Sequence, residues 1–145
     1  MKPIFKPISL NSDLKGARIT SSNDAYSLLR TCYPEFDNVE YFVALFLNRQ
    51  NKVIGALPCS VGGLTSCIVD IRVILGNALI NRACSIIVSH NHPSGASNFS
   101  NEDVKLTRKL KDACNLLDLN LLDHVLLYAN DGDVKYTSFA DEGNF

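Results

Sequence analysis

With 145 residues, 46% apolar and 20% charged, the chain has the composition of a soluble globular protein and length for one domain with a single substantial core. The net charge of -1 supplies no electrostatic case for nucleic acid or an anionic membrane. Lys105, Arg108, Lys109 and Lys111 form the one local basic cluster, which reads as a solvated helix face. No apolar run approaches the roughly 18 residues of a membrane span, and Met1 to Leu10, with two prolines and two lysines, does not read as a signal peptide. The five cysteines, Cys32, Cys59, Cys67, Cys84 and Cys114, are widely spaced and form no C-x-x-C. That argues for reduced thiols in the cytoplasm rather than a disulfide frame or a cysteine-rich metal site.

Residues 1–38 read as an N-terminal extension with a short helix, ahead of a domain over 39–145. Ser21-Ser22-Asn23-Asp24 can cap that helix, which runs through Arg30 on an apolar stripe of Ala25, Leu28 and Leu29; Pro34 closes it. Val39 to Asn48 is a strand: Tyr41 to Leu47 is continuously apolar, aromatic and β-branched, as expected when both faces are covered. Arg49-Gln50-Asn51 is a turn, and Lys52 to Leu57 returns as a hairpin partner. Gly62-Gly63 breaks the chain, and a helix follows over Val69 to Arg82, with Ile71, Ile74, Leu75, Ala78 and Leu79 at helical spacing. Ser85 to Ser89 is a short buried strand with His90 at its end. Pro93 to Phe99 is a loop. Ser100 is an N-cap with Asp103 three positions on, as in a capping box, and Leu106, Leu110, Ala113 and Leu117 give the next helix its stripe. Leu121 to Tyr128 is a third buried strand. Asn130 to Asp133 turns into a last strand over Val134 to Phe139. Strands and helices alternate, so the class is α/β, with mixed pairing because of the hairpins.

The chemistry concentrates in His90-Asn91-His92-Pro93-Ser94-Gly95 and the Ser100/Asp103 pair downstream. Two histidines at i and i+2 point the same way along extended backbone, and Pro93 keeps His92 out of a helix. Asp103, on the first turn of the next helix, can add a carboxylate. Two imidazoles and one carboxylate suit a catalytic zinc ion with a position left for water, whose pKa falls toward about 7. Such a site needs a general base that does not bind the metal. Glu40, at the start of the apolar strand on the side of Phe42, Ala44 and Phe46, is the candidate, with Ser100 and Ser89 as hydroxyl donors near the site. Each residue also has a plain structural reading. Asp103 suits a helix N-terminus, Ser100 is a cap, Glu40 is the polar end of a strand, and a lone histidine is commonly a surface or core residue.

The ordered set His90-x-His92-Pro93-Ser94-Gly95, Ser100-x-x-Asp103, a leucine-rich helix, Leu121-Leu122-Asp123-His124 and Tyr136-Thr137-Ser138-Phe139 resembles the JAMM motif of MPN-domain metalloproteins, in particular the RadC-like JAB branch. The resemblance runs from about Val39 to Gly143. It implies an MPN/JAB fold of the cytidine-deaminase-like kind, a mixed β-sheet flanked by helices. It implies one Zn2+ per chain on His90, His92 and Asp103, with Glu40 and Ser100 catalytic: Glu40 as base, Ser100 at the metal-bound water or oxyanion. The implied activity is zinc-dependent hydrolysis of a peptide or isopeptide bond. The expected partner is a peptide or protein substrate, with a homodimer left open and no membrane or nucleic acid partner. Asp123 and His124 are assigned a structural role at the start of their strand rather than that of a fourth ligand. Two departures stand out. Full-length RadC proteins carry a helix-hairpin-helix region, of which the first 38 residues show no pattern, and Ile71-Arg72-Val73 stands where relatives carry Pro-Arg-Glu. The alternatives are a non-catalytic MPN-type scaffold and an accessory DNA-repair protein. The H-x-E and P-C-x-x-C signature of a nucleobase deaminase and the H-E-x-x-H of a zincin are both absent.

Overall fold

The computed structural model describes residues 15–33, 38–61 and 69–145. The expectations for Met1 to Leu10, Pro34, Gly62-Gly63 and Cys67 lie outside those residues. Among the described residues the chain runs α1 (Ser22–Leu29), a 3-10 turn (Arg30–Cys32), β1 (Tyr41–Leu47), β2 (Val53–Val61), α2 (Ile71–Ile80), β3 (Ser85–His92), α3 (Asn101–Leu116), β4 (Asn120–Asn130) and β5 (Asp133–Ser138). The architecture is α/β with a mixed sheet, as the alternation of periodicities predicts.

The five strands form one sheet in the order β2-β1-β3-β4-β5. β1 pairs antiparallel with both β2 and β3, β3 pairs parallel with β4, and β5 closes the other edge antiparallel. A parallel pair needs a long crossover, which α3 supplies. β2 continues past the expected Leu57 through Pro58, tolerated because β2 is an edge strand and its register shifts beside that residue.

β1 is buried along nearly its whole length, and its alternation sends side chains into two cores. Phe42, Ala44 and Phe46 meet Ile86 and Val88 of β3, Ile74 and Ala78 of α2, and Leu110 and Cys114 of α3. Val43, Leu45 and Leu47 meet Ile87, Val125 and Leu127, with Ala25, Leu29 and Tyr33 on or just after α1. The layers are therefore α2 and α3, then the sheet, then α1. Residues 15–33 share the second core, and Arg18 bridges to Lys52.

α3 is rotated relative to its expected stripe. Thr107, Leu110 and Cys114 are its buried positions, while Leu117, just past its end, is 41% exposed. Packing against β4 selects this face, and it brings a hydroxyl inward where a leucine stripe was expected. Leu79 at the end of α2 is exposed for a similar reason: Ile74 and Ala78 are the positions that reach the sheet.

β3 extends to His92, so both histidines lie within the strand. Directly after it, Gly95 N–H donates to the His92 carbonyl at 3.0 Å. Pro93 in the second position and Gly95 in the fourth match the residue preferences of a type I turn. Gly95 has φ 81°, and a Cβ there would lie 2.9 Å from the Ala129 carbonyl oxygen. The left-handed backbone alone costs a non-glycine residue about 1–2 kcal/mol, and the obstructing atom belongs to the sheet. Gly95→Ala is expected to lower the unfolding free energy by at least that amount, seen in urea unfolding as a lower midpoint at an unchanged slope.

Candidate metal centre

The even positions of β3 face α3: Ile86 and Val88 lie in its core, and His90 and His92 follow on the same side. His90 is 1% exposed and stacks against Phe42, its partner across the β1–β3 ladder. His92 stands nearer the rim. The odd positions face away. The Ser89 hydroxyl pairs with Tyr33 OH at 2.7 Å in the opposite core. This corrects the expectation that Ser89 donates near the site; the two-residue period of a strand places it behind the sheet.

Ser100 is the N-cap of α3. Its hydroxyl accepts from Asp103 N–H at 3.1 Å, and Asp103 Oδ2 accepts from Ser100 N–H at 2.9 Å, a closed capping box. The same Oδ2 lies 3.2 Å from His90 Nε2 and 3.1 Å from His92 Nε2, which are 3.0 Å from each other. The helical and chemical readings of Asp103 are thus one arrangement: the cap holds the carboxylate where it faces both rings. Ser100 itself is exposed and its hydroxyl is engaged in the cap.

A donor atom from each of Glu40, His90, His92 and Asp103 lies within 4.8 Å of every other. Glu40, on the residue before β1, therefore joins the group, while His124 does not. The near-equilateral triangle of two nitrogens and one oxygen fits a divalent cation. Donors about 2.0–2.1 Å from a tetrahedral zinc ion would lie about 3.3 Å apart. Nitrogen and carboxylate donors of this kind suit zinc and its neighbours rather than calcium or magnesium, which take oxygen.

Protonation is set locally. The Ala96 carbonyl can only accept, so His92 Nδ1, 3.1 Å away, carries a proton and donates it. In the neutral ring Nε2 is then a bare donor pair facing Asp103. Burial disfavours the His92 cation, but its bonds to Asp103 and the Ala96 carbonyl, with the charges of Asp103 and Glu40, outweigh this and raise its pKa. Burial likewise works against the Asp103 carboxylate, yet the hydrogen bonds that His90 and His92 donate to it when their Nε2 atoms are protonated hold it far below the ordinary carboxylate range. Burial raises the pKa of Glu40; His90 pulls it back and Asp103 pushes it further up. A carboxyl with a raised pKa is a better proton acceptor at neutral pH than an ordinary one.

Thr107 and Asn91 around the group escape the residue pattern, which gives Asp123 and His124 only a structural role in their strand. The ring of His124, on β4, lies behind His90: its Nε2 is 2.7 Å from His90 Nδ1, and its Nδ1 is 2.6 Å from the Thr107 hydroxyl. It is fully buried between Phe42 and Phe99, and burial pushes its pKa well down, keeping it neutral. Its neighbour Asp123 turns elsewhere, accepting from the Ser138 hydroxyl and the Ala140 and His124 amides, which ties β4 to the turn after β5. Asn91, between the two histidines, accepts from Tyr41 N–H at 2.7 Å and donates to the Val39 carbonyl at 2.9 Å. Its carboxamide thereby grips the backbone on both sides of Glu40. The available sequence signals are slight: a polar residue on the buried side of α3, and an amide between two histidines.

Asn91→Ala removes both bonds of this grip and leaves a partly buried amide and carbonyl to find other partners. A loss of about 1–3 kcal/mol of stability is expected from chemical denaturation. Amide exchange at Glu40 and Tyr41 should quicken more than at the centre of β1.

A family profile described as "RadC-like JAB domain" matches residues 19–144. Among curated relatives, a "UPF0758 protein" of Flavobacterium johnsoniae is 42% identical over 132 residues, covering 91% of this chain and 56% of the relative. Another, of Methanococcoides burtonii, is 36% identical over 140 residues, covering 97% and 59%. A third, of Streptococcus gordonii, is 37% identical over 137 residues, covering 93% and 58%. The chain spans a little over half the length of these relatives. The sheet order, the helices on its two faces and this match across nearly the whole described chain place the protein in the RadC-like JAB domain family.

Proposed function

We propose that this chain is a zinc-dependent metallohydrolase of the JAMM type that cleaves an amide, either a peptide or an isopeptide bond. The observation that carries the reading is the convergence of Glu40, His90, His92 and Asp103 on one point at the end of a buried strand. The family membership supports it. His90 and His92 would hold the ion through Nε2 and Asp103 through Oδ2. A bound zinc ion supplies Lewis acidity and lowers the pKa of a coordinated water.

The chain's own residues supply the remaining chemistry. Glu40, with its raised pKa, accepts a proton from the attacking water and returns it to the leaving amine nitrogen. Asn91 keeps Glu40 in register with β3 through the flanking backbone. Ser100 offers its hydroxyl toward the developing oxyanion while its backbone N–H holds Asp103. Phe42 and Phe99 line the inner side of His90 and keep water from it.

The test is elemental analysis of tag-free protein. About one zinc per chain is expected, lost in His92→Ala. A wild type that neither holds nor takes up zinc would favour a scaffold role instead. Glu40→Gln should keep its zinc and lose about 10²–10⁴-fold in turnover on peptide or isopeptide substrates; undiminished hydrolysis would remove Glu40 from its role. Because His92 must be neutral to bind and its pKa is raised above 6.5, zinc affinity should already decline as pH falls toward that raised value, before the ordinary histidine range is reached. Zinc titrations from pH 8.5 down to 5.5 check the sign.

A further inference from the structure

We propose that His124 is a positioning residue, and that a relay from the Asp103 carbonyl through Thr107 and His124 fixes His90 in the tautomer whose Nε2 lone pair faces His92 and Asp103. The Asp103 carbonyl oxygen can only accept, and this sets the direction of the relay. The Thr107 hydroxyl lies 2.6 Å from the carbonyl oxygen of Asp103, one helical turn back. A hydroxyl has one proton, and donating it there leaves Thr107 Oγ1 to accept. Its other partner is His124 Nδ1 at 2.6 Å, so His124 carries its proton on Nδ1. The ring is wholly enclosed, which disfavours a second proton, so with its proton on Nδ1 its Nε2 is bare. The remaining contact, 2.7 Å to His90 Nδ1, is then a bond donated by His90. A neutral His90 with its proton on Nδ1 presents a lone pair at Nε2.

The two histidines of the site thus reach the same state by different routes. His92 Nδ1 is held by a backbone carbonyl directly. His90 is buried behind the rim, where its Nδ1 meets His124 Nε2 instead, and is held through two intervening side chains. Asp103 closes the loop, since its carboxylate faces Nε2 of His90 while its carbonyl sets the proton on Nδ1. Partners of this kind that hold a ligating imidazole by its other nitrogen commonly change metal affinity by about 10–100-fold when removed.

The proposal rests on the metal-centre reading for its energetic consequence but not for the tautomer itself, so two readouts separate them. The full chain contains three histidines, and long-range proton–nitrogen NMR spectra of the 15N-histidine-labelled, chelator-treated protein at pH 8 can be assigned by single substitutions. His90 and His124 are both expected with protonated Nδ1 and bare Nε2; a bare Nδ1 on His90 overturns the proposal. The second readout is Zn2+ affinity by competition titration. His124→Phe should bind about 10–100-fold more weakly, and His124→Gln should recover most of the loss, because its carbonyl can accept from His90 while its amide donates to Thr107. Unchanged affinity in His124→Phe, or an equal loss in both variants, overturns the proposal in favour of simple packing. Should His124→Phe fail to fold, Thr107→Val removes the relay's source with little change in volume, and mixed His90 tautomers are expected. If the wild type binds no zinc yet shows the expected tautomers, the metal reading fails and the relay stands.

Discussion

One carboxylate oxygen anchors the centre of this structure. Asp103 Oδ2 accepts the Ser100 amide that begins α3 and also faces Nε2 of His90 and His92. The helix start and the candidate centre are therefore the same set of contacts. A helix terminus favours a nearby negative charge, and the buried His90 and half-buried His92 beside it favour it further whenever either is protonated, which explains why this carboxyl stays ionised despite its burial.

The sheet makes that arrangement possible. β3 lies between β1 and β4, so its last residues are flanked by Phe42 on one side and by Leu126 and Tyr128 on the other. A strand held on both edges presents two alternate side chains to one face with little freedom. The parallel β3–β4 pair obliges the chain to cross over the sheet, and α3 is that crossover. Its N-terminus consequently begins close to where β3 ends, and Asp103 meets the two histidines there.

The face opposite is equally organised. Asn91 and Ser89 alternate with the histidines and point behind the sheet. Ser89 meets Tyr33, and Asn91 extends the β1–β3 ladder by side-chain bonds to Val39 and Tyr41. Glu40 sits between those two anchored residues, and its position is thus a consequence of β3 as much as of β1. Polar groups on both faces of one strand end are costly unless every one is bonded. Among the described residues no buried side-chain nitrogen or oxygen lacks a partner.

Much of this was legible in the residues alone. The continuous apolar run of Tyr41 to Leu47, the i, i+2 histidines before Pro93 and the Ser100/Asp103 spacing each follow from short-range rules: strand alternation, proline sterics and helix capping act over a few positions, so sequence expresses them directly. The inward face of α3 was not legible. Leu106, Leu110, Ala113 and Leu117 make as good a stripe on paper as the one that packs, and contact with β4 turned Thr107 and Cys114 inward instead. For the same reason His124 read as a strand residue and Ser89 as a neighbour of the site. Which side of β4 meets α3, and which residues stand 17 and 34 positions from their hydrogen-bond partners, depend on the pairing of β3 with β4. That pairing is a long-range event, and no local pattern in the chain specifies it.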